Sequence, residues 1–95
     1  MGILFSPAAA EDLLNIWQYT FQEWGENQAE LYLHELSFAC NKLSDSLSQE
    51  IAIDYVRPGY RKVLARKHVI YFFRQEKEIT IIRILHQRMD VDEVL

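Results

Sequence analysis

Ala10, Leu14, Trp17, Phe21 and Trp24 recur at alternating intervals of four and three. That spacing puts them on one face of a helix, which Leu13, Ile16 and Tyr19 widen. The short apolar run Ile3 to Phe5 precedes it as a strand, and Ser6-Pro7 marks the helix start. Serine caps the first free amides there, and proline at the first helical position gives up no bond. Glu11 and Asp12 fall near the first turns, where acids suit the positive end of the helix dipole. Gly25 is the natural stop, because glycine readily adopts the backbone conformation that ends a helix. Asn27 then reads as the cap of a second helix, with Glu30 three residues on to return the bond. Its stripe is Ala29, Leu33, Leu36, Ala39 or Cys40, Leu43 and Leu47, set to lie against the first helix in an antiparallel hairpin. These stripes read as core.

Periodicity fails over Ser44 to Asp54, which is expected to be a frayed helix end and a loop. Arg57-Pro58-Gly59-Tyr60 follows as a type II turn. Three strands are then expected, at Tyr60 to Arg66, His68 to Arg74 and Glu78 to Leu85, the last two joined by a polar hairpin. Val69, Tyr71 and Phe73 share one face of their strand; Ile79, Ile81 and Leu85 share one face of theirs, with Arg83 as the exception. The order β-α-α-β-β-β predicts an α+β fold, a helical hairpin packed on a small, mainly antiparallel sheet, with residues 1–95 forming a single domain.

At 95 residues with 49% hydrophobic and 25% charged positions, the chain has the make-up of a folded soluble domain. A lone cysteine, Cys40, gives no intrachain disulfide and suits a buried thiol in a reducing compartment. No stretch is long and apolar enough for a membrane span, and the N-terminus lacks a basic leader, so a cytoplasmic location without membrane contact is expected. The net charge of −4 conceals two opposite halves. Up to Val56 there is one base against nine acids, and from Arg57 onward nine bases against five acids. The second half is therefore the better surface for an anionic partner.

The histidines His34, His68 and His86 have no metal-ligand spacing, and no nucleophile elbow or phosphate loop is present. No metal or other cofactor is expected. What remains is a set of basic and aromatic residues on the strands: Arg57, Tyr60 and Arg61 at the second strand, His68 at the third, and Arg83, His86 and Arg88 at the fourth. Antiparallel neighbours put these residues at different ends of the sheet, so one compact site is not required. Arginine suits recognition of phosphate or carboxylate by its planar fork, although Arg83 can instead pair with Glu11 or Asp12 on the overlying helix.

The segments FSPAAAEDLLNIWQY, WGENQAELYLHEL, RPGYRKV, HVIYFFR and ITIIRILHQRMD, in that order, resemble the ParE branch of the RelE/ParE toxins of bacterial type II toxin–antitoxin systems. The departure is SDSLSQEIAID at 44–54, where such toxins usually show a proline-glycine turn. The resemblance implies a toxin that inhibits DNA gyrase and is neutralised by a ParD-like antitoxin, without enzymatic activity or sequence-specific nucleic-acid binding. The seven basic and aromatic residues named above would then meet the target. Trp17, Phe21, Leu36, Tyr71 and Phe73 would meet the antitoxin, an acidic or amphipathic segment that folds on binding. The rival implication is a RelE-like, ribosome-dependent mRNA endoribonuclease. Against it, Lys67 or His68 stands where many such nucleases carry an arginine, no tyrosine follows Arg88, and Asp90, Asp92 and Glu93 repel an RNA backbone. A third alternative is an inactive antitoxin-binding module.

Overall fold

The computed structural model describes residues 2–44, 49–89 and 95. Strand β1 (Gly2–Phe5) leads into helices α1 (Pro7–Trp24) and α2 (Glu26–Asn41) and a short 3-10 turn (Lys42–Ser44). Strands β2 (Ile51–Ala52), β3 (Arg61–Ala65), β4 (His68–Gln75) and β5 (Glu78–His86) follow. The five strands form one sheet in the order β1-β5-β4-β3-β2, with β1 parallel to β5 and every other pair antiparallel. The helical hairpin packs on one face of that sheet, an α+β arrangement as expected from the pattern of periods. Two residues of the segment read as a loop, Ile51 and Ala52, instead extend the sheet as its short edge strand. Leu47 lies outside the described residues.

Ser6 caps α1 as its sequence position suggests, accepting from the Ala9 amide at 3.0 Å. Its hydroxyl also donates to the Ile82 carbonyl at 2.6 Å, so one side chain starts the helix and fastens it to β5. Gly25 donates to the Phe21 carbonyl and has φ 90° and ψ 175°, a region open essentially to glycine alone. That residue is the whole link between the helices. It also stands at the N-cap of α2, so the helix begins one residue before Asn27, and no side chain caps it. The expected Asn27–Glu30 capping box is therefore absent. Nor do Glu11 and Asp12 serve the helix dipole, since the first turn of α1 contains no acid.

The rotation of α1 differs from the sequence expectation. Its inward face is Ala9, Asp12, Leu13, Ile16 and Thr20, whereas Leu14 is 56% and Trp24 71% exposed, with Phe21 also exposed. The apolar stripe read as core is largely surface. The polar residues Asp12 and Thr20 lie inside because each has a partner: Thr20 donates to the Ile16 carbonyl, and Asp12 accepts from the sheet.

Leu36, Cys40, Leu43, Ile70, Phe72, Ile79, Ile81 and Ile84 fill the core between hairpin and sheet. A second, smaller cluster of Ile53, Tyr71 and Leu85 lies apart from it, with Val56, Tyr60, Val69, Ile82 and Leu95 packed around it. The division depends on a bulge. Tyr71 pairs with Arg83 and Phe72 with Ile81, so Ile82 is an extra residue on β5. A bulge interrupts the period of two, which puts Ile84 in the core with Ile79 and Ile81 and gives Leu85 to the second cluster. The expected common face of Ile79, Ile81 and Leu85 is thus broken at Ile82.

β1 ends opposite Ile81, but β5 runs on to His86. Beyond that point Asp12 serves the open edge: its Oδ2 accepts from the Ile84 amide at 2.9 Å and from Nε of Arg83 at 2.7 Å, while Oδ1 accepts from the same guanidinium at 2.9 Å. The side chains of Arg83 and Asp12 retain 26% and 11% exposure. Asp12→Ala removes the partner of a half-buried cation and of a buried amide, and should cost roughly 2–4 kcal/mol. Asp12→Asn keeps an acceptor for the amide and should cost less. Urea denaturation with an unchanged m value checks both, and equal midpoints for parent and Asp12→Ala would contradict the role given to this carboxylate.

Candidate functional site

The strand pairing divides the seven candidate target residues into separate groups. His68, first in β4, pairs directly with His86, last in β5, and their rings meet edge to face at 5.5 Å. Tyr32 reaches this end of the sheet from α2, its hydroxyl 2.6 Å from Nδ1 of His68. The same hydroxyl accepts from the Lys67 amide at 3.2 Å, and in its bond to Nδ1 of His68 the donor is set by the imidazole tautomer. Burial, reinforced by the neighbouring His86 and opposed by Asp12, lowers the His68 pKa to about 4. His68 is neutral at neutral pH, with Nδ1 engaged by Tyr32. His86 accepts from the Arg88 amide through Nδ1, which keeps Arg88 beside the pair.

Arg66, at the tip of the β3–β4 hairpin, has φ 59°, unusual for a residue with a side chain. Its Nε stands 2.8 Å from Oε2 of Glu35 on α2, in a charge contact off the hydrogen-bonding direction that leaves this buried oxygen without an aligned donor. Tyr32 and Glu35 together pin the hairpin tip to the helix. Neither was singled out in the sequence, although their spacing of three places both on one side of α2.

Arg57, Tyr60 and Arg61 belong to another region. Pro58-Gly59 forms the expected turn, with Gly59 at φ 84° and the Tyr60 amide bonded to the Arg57 carbonyl at 3.1 Å. Tyr60 stacks on Phe73 with ring centroids 5.9 Å apart. Arg61 is bound by Glu50 at 2.6 Å, and Glu50 also takes Arg74, which donates in addition to the Leu43 carbonyl at 2.9 Å. This network ties the end of the helical layer to β3 and β4. Arg83 is paired with Asp12, the alternative left open by the sequence. Of the arginines among the seven candidates, Arg57 and Arg88 have no ion-pair partner among the described residues.

Of the five residues expected to meet an antitoxin, Trp17 and Phe21 stack at 5.1 Å on the outer side of α1. A groove of about 330 Å³ lined by Leu13, Leu14, Trp17, Leu33 and Ser37 runs between the helices there. Phe73 is half-buried under Tyr60. Leu36 is fully buried and Tyr71 only 4% exposed, so both serve the interior and offer almost no surface to a docked segment. Their expected contact role is corrected accordingly. Leu33 lines the groove instead, and its place on the α2 stripe was visible in the sequence.

The family model described as the ParE toxin of type II toxin–antitoxin systems, parDE, matches residues 3–91. The chain belongs to this family. A relative named toxin ParE1 from Mycobacterium tuberculosis is 44% identical over 93 residues, covering 97% of this chain and 95% of that one. Toxin ParE1 of Caulobacter vibrioides is 35% identical over 85 residues, covering 90% and 88%. Among solved structures, one described as a chromosomal ParDE system of Pseudomonas aeruginosa aligns with a TM-score of 0.77 at 23% identity, covering 90% of this chain and 95% of that one. The YoeB dimer of Staphylococcus aureus aligns at 0.63 with 15% identity, covering 92% and 97%. These two structures establish the shared fold. The protein is thus a ParE-type toxin component of a type II system, and no helix among its described residues is long and apolar enough to cross a membrane.

In this ParE-family chain the His68 environment makes stability depend on pH. The unfolded chain takes up a proton near pH 6.5, the folded chain only near pH 4, so this contribution is complete above 6.5 and is lost as the pH falls to about 4. His68→Gln, which keeps an acceptor for Tyr32, should flatten the fall of the urea midpoint across that window. Identical pH slopes for variant and parent would show that His68 is not held neutral.

Proposed function

We propose that this toxin acts by inhibiting DNA gyrase, without hydrolysing a substrate, and that a ParD-like antitoxin neutralises it. The observation that carries the non-enzymatic reading is the commitment of its polar groups. Arg83 is spent on Asp12, Arg61 on Glu50, and the Nδ1 of His68 on Tyr32. Cleavage of RNA through its own 2′-hydroxyl needs cations free to meet the phosphate and a base with a pKa near neutrality. A neutral His68 with a pKa of about 4 and an occupied Nδ1 suits neither role. The closeness of His86 and Arg88 favours the ribonuclease alternative, but only as a partial set.

Target recognition falls to the exposed turn bearing Arg57 and Tyr60 and to Arg88 at the end of β5. Antitoxin recognition falls to the groove beside Trp17 and Phe21, where exposed apolar surface rewards a segment that folds on contact.

Purified toxin should block supercoiling or trap cleaved DNA in a gyrase assay and leave ribosome-bound message intact. Message cleavage with normal supercoiling would overturn the proposal. Arg88→Ala should weaken inhibition, whereas Lys77→Ala in the β4–β5 turn should leave it unchanged; equal effects would remove Arg88 from the recognition surface. Arg83→Ala should also weaken inhibition, but together with a lowered urea midpoint, because its partner is Asp12.

A further inference from the structure

The charge around the hairpin groove restricts what can dock there. Helices α1 and α2 together carry six acids, Glu11, Asp12, Glu23, Glu26, Glu30 and Glu35, and no lysine or arginine. Asp12 and Glu35 are turned to the sheet by Arg83 and Arg66. Glu11, Glu23, Glu26 and Glu30 are exposed and have no ion-pair partner among the described residues. Two of them, Glu26 and Glu30, share the α2 face that forms the groove, and Glu11 lies at the outer margin of the α1 face. Glu11 lies three residues before Leu14 on α1; Glu30 lies three before Leu33 on α2, and Glu26 a further turn back. In an antiparallel hairpin Glu26 and Glu30 stand toward the end of the stripe near Gly25, while Glu11 stands toward the other end, which Lys42 at the close of α2 also approaches.

We propose that the groove selects a basic amphipathic helix: apolar side chains at spacings of three and four seated over Leu14, Trp17 and Leu33, with lysines or arginines along both flanks. This rests on the reading of the groove as the antitoxin's dock and assigns the charge sign of the segment it takes. An acidic segment would place its carboxylates beside Glu11, Glu26 and Glu30, which repel it at short range. A second copy of this chain is disfavoured on the same ground, since face-to-face hairpins would oppose their unpaired glutamates.

Two fluorescein-labelled peptides of roughly 18 residues, about five helical turns, test the assignment with the full chain. Both carry the same leucines at helical spacing; one is flanked by lysine and the other by glutamate. The lysine peptide should bind at least about tenfold more tightly at about 50 mM salt, with the ratio shrinking at about 500 mM as screening shortens the field. Glu30→Lys should reduce that preference, and the Glu26→Gln, Glu30→Gln double variant should reduce it while adding no positive charge. Trp17→Ala should weaken both peptides alike. Binding without a charge preference, or preference for the glutamate peptide, overturns the charge assignment but leaves the groove as a dock. Binding of neither peptide overturns the docking role and the inference with it. Self-association of the chain at low salt, seen by sedimentation and abolished by Trp17→Ala, overturns the inference in favour of a second copy.

Discussion

The carboxylate of Asp12 is the constraint from which much of this fold follows. β5 outlasts its neighbour β1, and a strand edge left open in a protein interior carries unpaired amides and carbonyls. The start of α1 takes the place of the missing strand. Ser6 satisfies the carbonyls of Ile81 and Ile82, and Asp12 satisfies the amide of Ile84 while neutralising Arg83. Helix, edge and cation are joined through two side chains six residues apart.

That fastening also sets the rotation of α1. With Asp12 toward the sheet, Ala9, Ile16 and Thr20 follow it inward at helical spacing. At about 100° per residue, Leu14 and Phe21 come out on the far side and Trp17 at an oblique angle. The exposed aromatic surface is therefore a consequence of where one acid must point. Fold and exposed aromatic surface are linked through the same side chain, and the acidic, apolar hairpin on one side contrasts with a sheet whose arginines Arg61, Arg74 and Arg83 are paired.

The periods of the sequence were enough to locate both helices, β1 and the three long strands, because strong alternation and the Ser6, Pro7, Gly25 and Pro58-Gly59 signals act locally. They misassigned the inward face of α1 since apolar spacing ranks Leu14 and Trp24 above Asp12, whose partners Arg83 and Ile84 lie far along the chain, and above Thr20, whose hydroxyl is satisfied within its own helix by the Ile16 carbonyl. The bulge at Ile82 was equally hidden: nothing local distinguishes Ile81 from Ile82, and only pairing against Tyr71 and Phe72 divides them. For the candidate site, the residue types were legible and their availability was not. Arg61, Arg83 and His68 look free in a sequence, but Glu50, Asp12 and Tyr32 occupy them.

The single-residue link at Gly25 has its own consequence for how such a protein can vary. With one residue between Trp24 and Glu26, the helices have no slack to absorb a change in length. An inserted residue taken into α2 would turn everything beyond it by about 100°, moving Leu33 and Ser37 out of line with Trp17. It would also carry Tyr32 and Glu35 away from the β3–β4 tip. Sequence divergence in the hairpin can therefore proceed by substitution along its outer faces, but scarcely by insertion at its hinge, so its outer surface can change in chemistry while keeping its frame.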